Sequence, residues 1–162
     1  MKALKLLVSA ALLAISVSTA RADNIVEIAA STGQFDTLIA AAKAAGLVPA
    51  LTGKGPITVF APTDAAFAKL PKGTVAELLK PRNKHKLAGI LKYHVVSGAI
   101  YAKDVPIRPT RVKTLKRGGD TTIRVVRSGS RVHVDNARVI KADIKADNGV
   151  IHVINRVLLP SS

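Results

Sequence analysis

Residues 58–71 read TVFAPTDAAFAKLP, and this stretch decides how the chain is organised. Its opening, together with Pro56 and Ile57, is a short β-type run over 56–60 in which Val59 and Phe60 supply bulk for a core. Pro62 fixes the backbone at the strand exit. Thr63 or Asp64 then satisfies the open N–H groups of a turn of helix through Ala65, Ala66 and Phe67, which ends before Pro71. A strand passing directly into a capped helix marks the meeting of two kinds of layer.

The chain to either side keeps that division. Residues 23–92 are mostly helical in pattern and residues 93–160 mostly strand, so the expected class is α+β. Asp23 or Asn24 can cap a first helix carrying Ile25, Ile28 and Ala29, which Gly33 ends. Phe35, Leu38, Ile39 and Ala42 fall at i, i+3, i+4 and i+7 of a second helix, with Gly46 as its stop. Thr74 is expected to cap a helix with Val75, Leu78 and Leu79 inward, and Asn83 another with Leu87, Ile90 and Leu91 inward. Further on, residues 94–96, 121–126, 131–134, 138–144 and 150–158 are β-branched runs broken at Gly98, Gly118 and Gly119, Gly129, and Asn148 with Gly149. In 121–127, Ile123 and Val125 share one face and Arg124 lies on the other.

Length and composition bound the rest. With 162 residues there is room for one domain with a sizeable core. Residues 1–22 have the form of a cleaved export signal: Lys2 and Lys5, an apolar run over 6–17, and Ala20-Arg21-Ala22 as a small-x-small site. The run is short for a membrane anchor and is interrupted by Ser9 and Ser16, so the mature chain, residues 23–162, is expected to lack one. The absence of cysteine excludes disulfides, thiolate metal sites and thiol nucleophiles. The formal charge is +15, and loss of Lys2, Lys5 and Arg21 with the signal lowers it by three, to +12. Such an excess favours screened, salt-sensitive association with anionic surfaces, and otherwise serves solubility.

Two further segments stand out: YHVVSG at 93–98 and NGVIHVINRVLLP at 148–160. In the latter, Ile151, Val153 and Val157 fall on one face and Val150, His152 and Ile154 on the other, the pattern of a strand buried on both sides. With residues 58–71, these segments resemble the fasciclin (FAS1) family in order and spacing across residues 23–162. The resemblance implies a twisted sandwich or wedge of short strands with helices from the first half packed on it. It also implies a protein found outside cells or on their surfaces, with adhesion as the usual activity, while the export signal leaves periplasm, cell surface and medium open. Asn155 departs from the aspartate often present in similar sequences, which removes any role requiring a carboxylate there.

Candidate functional residues follow. Tyr93 and His94 match the family's YH motif, linked in animal relatives to integrin contact, with Leu91, Val95 and Val96 in support. A Tyr–His pair at a strand edge can equally serve the core through local hydrogen bonds. His85, His133 and His152 lack the spacing of a metal site, so no metal and no cofactor is expected. No G-x-S-x-G, phosphate loop or H-E-x-x-H is present, so the chain reads as a non-enzyme. Cations gather in two places: Lys80, Arg82, Lys84 and Lys86, and then Arg108, Arg111, Lys113, Lys116, Arg117, Arg124 and Arg131, continuing through Arg127, Arg138, Lys141 and Lys145. They are expected either as a solvated face or as a site for cell-surface or matrix polymers such as anionic glycans. Nucleic acid is not expected, since export opposes it and five aromatic residues make no stacking platform. A second reading is carriage of an apolar ligand such as a carotenoid or lipid, in a groove drawn from Leu38, Ile39, Ile90, Leu91, Val95 and Val96.

Overall fold

The computed structural model describes residues 24–160. The export signal read at 1–22 lies outside the described residues.

Helices fill the first half: α1 (Ile25–Thr32), α2 (Asp36–Ala44), α3 (Val48–Thr52), then, after strand β1 (Ile57–Pro62), α4 (Asp64–Ala68), α5 (Thr74–Leu78) and α6 (Lys84–Lys92). The strands that follow are β2 (Val95–Ser97), β3 (Thr110–Lys113), β4 (Thr122–Ser128), β5 (Arg131–Val134), β6 (Ala137–Ala146) and β7 (Gly149–Ile154). They form one seven-stranded sheet in the order β2-β1-β7-β6-β5-β4-β3. Its two ends bend round to meet, with Val96 bridged to Thr114 and the Leu115 N–H donating to Val95 O at 2.9 Å. The result is a wedge that is nearly a barrel, in which part of each free edge is covered.

β1 and β7 run parallel at the centre of one half, Ile57 opposite Gly149 and Phe60 opposite His152. As expected of a parallel pair, both are buried on both faces, and their alternation divides the apolar interior in two. Val59, Ala61, Ile151 and Val153 point to the helices, joining Phe35, Leu38, Ala42, Phe67 and Leu91. Phe60 and Ile154 point into the wedge, joining Ile123, Val125, Val132, Val134 and Leu158. The Phe60 ring stacks on His152 with centroids 5.5 Å apart.

Local signals held in most places. Asn24 caps α1, accepting from the Glu27 N–H at 3.0 Å, while the Glu27 carboxylate reaches back to the Asn24 N–H. Thr63 caps α4. Asp64 does something else: its Oδ1 accepts the Thr37 N–H at 2.8 Å, capping α2, whose own N-cap residue Phe35 has no side chain able to do so. Asn148, read as a turn residue, is a buried tie. It accepts the Ile25 N–H and donates to Leu51 O and Gly53 O, fixing α1 and α3 against the loop before β7.

Other expectations are corrected. Thr74 is the first residue of α5, and Gly73 at φ 83° is its N-cap. Asn83 precedes α6 without capping it; its side chain is turned toward Glu77, the amide N–H groups donating to Glu77 O and Oε1. The strand expected to begin at 94 begins at Val95, and the one expected over 150–158 ends at Ile154. Helix α3 and strand β3 lie outside the helical and β-branched runs of the sequence.

Candidate functional site

Tyr93 and His94 do not sit on a strand edge; they close α6, the Tyr93 N–H donating to Gly89 O and the His94 N–H to Leu91 O. Each is 2% exposed. The Tyr93 hydroxyl lies 3.0 Å from Thr122 O and 3.1 Å from Asp135 Oδ2. Burial, reinforced by the charges of Asp135 and Asp120, raises its pKa well above that of a free tyrosine. His94 Nδ1 lies 2.8 Å from Ile90 O, so this nitrogen carries the proton, and Nε2 accepts the Leu158 N–H at 2.8 Å. Desolvation lowers its pKa to about 4, against the opposing pull of Ile90 O. His152 repeats the device, with Nε2 on Ile100 O at 2.6 Å and Nδ1 accepting the Asp143 N–H, and burial lowers its pKa too. The geometry of the YH pair therefore supports the core reading: both polar tips are engaged inside the protein.

The cations fare differently. β3 and β4 pair antiparallel with Arg111 directly opposite Arg124 and Lys113 opposite Thr122. Because Ile123, Val125, Val132 and Val134 fill the wedge, the alternate positions face outward. Along the same outer face His133 stands opposite Val126 on one side and Arg138 on the other. Lys113, Arg111, Arg124 and Arg138 thus form an exposed basic row across β3, β4 and β6, with His133 between. Like charges directly opposite in a sheet are destabilising, so the Arg111–Arg124 pair is held at a cost to the fold. It could not be foreseen without β3, although the alternation Thr110-Arg111-Val112-Lys113 carries that signal.

The remaining cations are dispersed. Arg131 is opposite Ser128 at the β4–β5 turn, and Arg108 is exposed in the loop before β3. Lys80 and Arg82 both bind the Glu77 carboxylate, Lys80 at 2.6 Å, and these hydrogen bonds pull its pKa down to about 2. Lys84 and Lys86 are exposed on α6. Lys116 and Arg117 follow β3 and approach α6, where they share a groove with Lys86. Lys86 of the first basic cluster, distant in sequence, therefore adjoins Lys116 and Arg117 of the second.

Of the residues assigned to an apolar groove, Leu38, Ile39, Leu91 and Val95 line one aliphatic cavity under α1 and α3, together with Val59 and Ile151. Ile90 lies outside it, and Val96 belongs to the wedge interior. The cavity measures about 60 Å³.

Comparison with known proteins agrees with this architecture. The Fasciclin domain family matches residues 33–160. The chain is 52% identical over 143 residues to protein sll1483 of Synechocystis, covering 88% of this chain and 77% of that one. It is 42% identical over 142 residues to transforming growth factor-beta-induced protein ig-h3 of Sus scrofa, covering 85% of this chain but 19% of the relative. In fold it is similar to a FAS1 domain pair from the insect cell adhesion molecule Fasciclin I, with a TM-score of 0.73 at 20% identity, covering 85% of this chain and 51% of that chain. The chain belongs to the fasciclin family. That family is one of generally non-catalytic, adhesion-related domains. Among the described residues no helix is long and apolar enough to cross a membrane.

Proposed function

We propose that the chain is an exported, non-catalytic binding or adhesion module that engages anionic polymers of a cell surface or matrix. The observation that carries this reading is the basic row Lys113, Arg111, Arg124 and Arg138 on the open face of the sheet. Two arginines held face to face weaken a sheet, and a polyanion laid across them relieves that repulsion. A charged, solvated outer sheet face suits a repeating polymer, whose successive anionic groups meet successive strands. Retention on an immobilised sulfated or uronate polysaccharide tests it. The double variant Arg111→Glu/Arg124→Glu should elute at markedly lower salt than the parent chain; equal retention would refute the assignment.

Carriage of an apolar ligand is the second reading, supported by the aliphatic cavity under α1 and α3. At about 60 Å³ it admits only a fragment of a carotenoid or acyl chain, so carriage requires α1 or α3 to swing outward. Mass spectrometry of the natively purified protein tests this, with a stoichiometric pigment or lipid as the expected result and a colourless, ligand-free protein as the contrary one.

A further inference from the structure

The groove between α6 and the chain's last described residues has a composition unlike the basic row. Its floor is apolar: Leu78 of α5, Ile90 of α6 and Leu159. Its rim carries Lys86 from the start of α6 and Lys116 and Arg117 from the segment after β3, with His85 also lining it. Among the described residues no carboxylate lines it, and its volume is about 510 Å³.

Leu159 is the informative member. It is 52% exposed, while its neighbour Leu158 is fully buried with its N–H held by His94. The exposed leucine is therefore held in place by the packing of the residue before it and presents its side chain to solvent at a defined point. Gly89 of α6 also lines the groove, and a Cβ built there would lie 3.8 Å from Lys116 Cε, while the Lys116 ammonium donates to Gly118 O. An apolar floor with a one-signed charged rim matches a ligand that is itself divided, with one anionic end and one hydrocarbon chain.

We propose that this groove binds a free single-chain anionic amphiphile, an acyl or alkyl chain ending in a carboxylate or phosphate, with the head between Lys116, Arg117 and Lys86 and the chain along Leu78, Ile90 and Leu159. A polysaccharide has no hydrocarbon chain to cover Leu159, so this site is separate from the polymer-binding face. The inference stands independently of that reading.

The test is calorimetric titration of the mature chain with laurate and with dodecyl phosphate, both below their micelle concentrations, alongside dodecyl maltoside, acetate and inorganic phosphate. One-site binding of laurate, dodecyl phosphate or both is expected, weakened by at least about tenfold in Lys116→Glu/Arg117→Glu and in Leu159→Asp, and unchanged in Arg111→Glu/Arg124→Glu. Shifts of the Leu78, Ile90 and Leu159 methyl resonances in the unaltered chain give a readout that does not depend on any variant folding. Equal binding of acetate or phosphate, equal binding of dodecyl maltoside, binding to anionic vesicles but not to monomeric amphiphile, or methyl shifts confined to residues elsewhere would each overturn the proposal. So would preferential binding of an acidic peptide in the same groove.

Discussion

His94 Nε2 accepts the backbone N–H of Leu158 at 2.8 Å, and the carbonyl of the same histidine accepts the N–H of Phe60 at 2.9 Å. The imidazole thus joins the end of α6 to the VLLP tail, and its backbone joins both to β1. The three segments by which the chain is recognised converge on one residue. Phe60 and Leu158 each donate to His94, which ties β1 and the tail to the end of α6.

His94 requires its neutral form, since a proton on Nε2 would face the Leu158 N–H. With a folded pKa near 4 and an ordinary value of 6.5 in the unfolded chain, the unfolded state gains a proton first as pH falls. Stability is therefore full above about pH 6.5, declines on the way down to about 4, and levels below it; the loss is on the order of 3 kcal/mol. His152 adds in the same direction. Urea unfolding between pH 4 and 8 measures this, and the slope should flatten in His94→Gln.

Tyr93→Phe removes the hydroxyl shared with Thr122 O and Asp135, leaving buried acceptors to find other partners. A loss of about 1–2 kcal/mol is expected with no change in polymer affinity. Denaturant midpoint and retention on the polysaccharide column, measured together, separate a core role from a contact role.

Asp64→Ala uncaps α2 from a distance and should cost about 1 kcal/mol, whereas Thr63→Ala uncaps only the short α4. Amide exchange at Thr37 and its neighbours should rise selectively in the first variant.

Gly149→Ala should be the most damaging of these changes, because a Cβ at this position runs into the Ile57 carbonyl across the parallel pair. Failure of the variant to accumulate as folded protein is the expected outcome, checked by circular dichroism of the refolded chain.

Much of the fold was legible in the sequence because burial writes a period. Leu38 and Ala42 on α2, and Val150 to Ile154 on β7, reported their faces directly. What stayed hidden depended on partners distant in sequence. Nothing near Asp64 says that it serves α2, nothing near Asn148 says that it holds α1, and Tyr93 finds Asp135 only through the pairing of β4 with β5. The same is true of the candidate site. The cations were all visible, but their arrangement was not, because Arg111 meets Arg124 only once β3 is recognised as a strand.

That cross-strand pair also makes a stability prediction opposed to the binding one. Arg111→Glu converts a repulsive pair into an attractive one and should stabilise the fold by about 0.5 kcal/mol while weakening polymer binding. Thermal midpoint and affinity moving in opposite directions would mark the row as kept for function.

The most direct measurement is the salt dependence of binding to a sulfated polysaccharide for three chains: unaltered, Arg111→Glu/Arg124→Glu, and Lys80→Glu/Arg82→Glu, whose cations are already engaged by Glu77. Affinity should fall steeply with ionic strength for the first and third, with a weak, nearly flat dependence for the second. Salt-indifferent binding by the unaltered chain, or an equal effect of the two double variants, would contradict the proposed function.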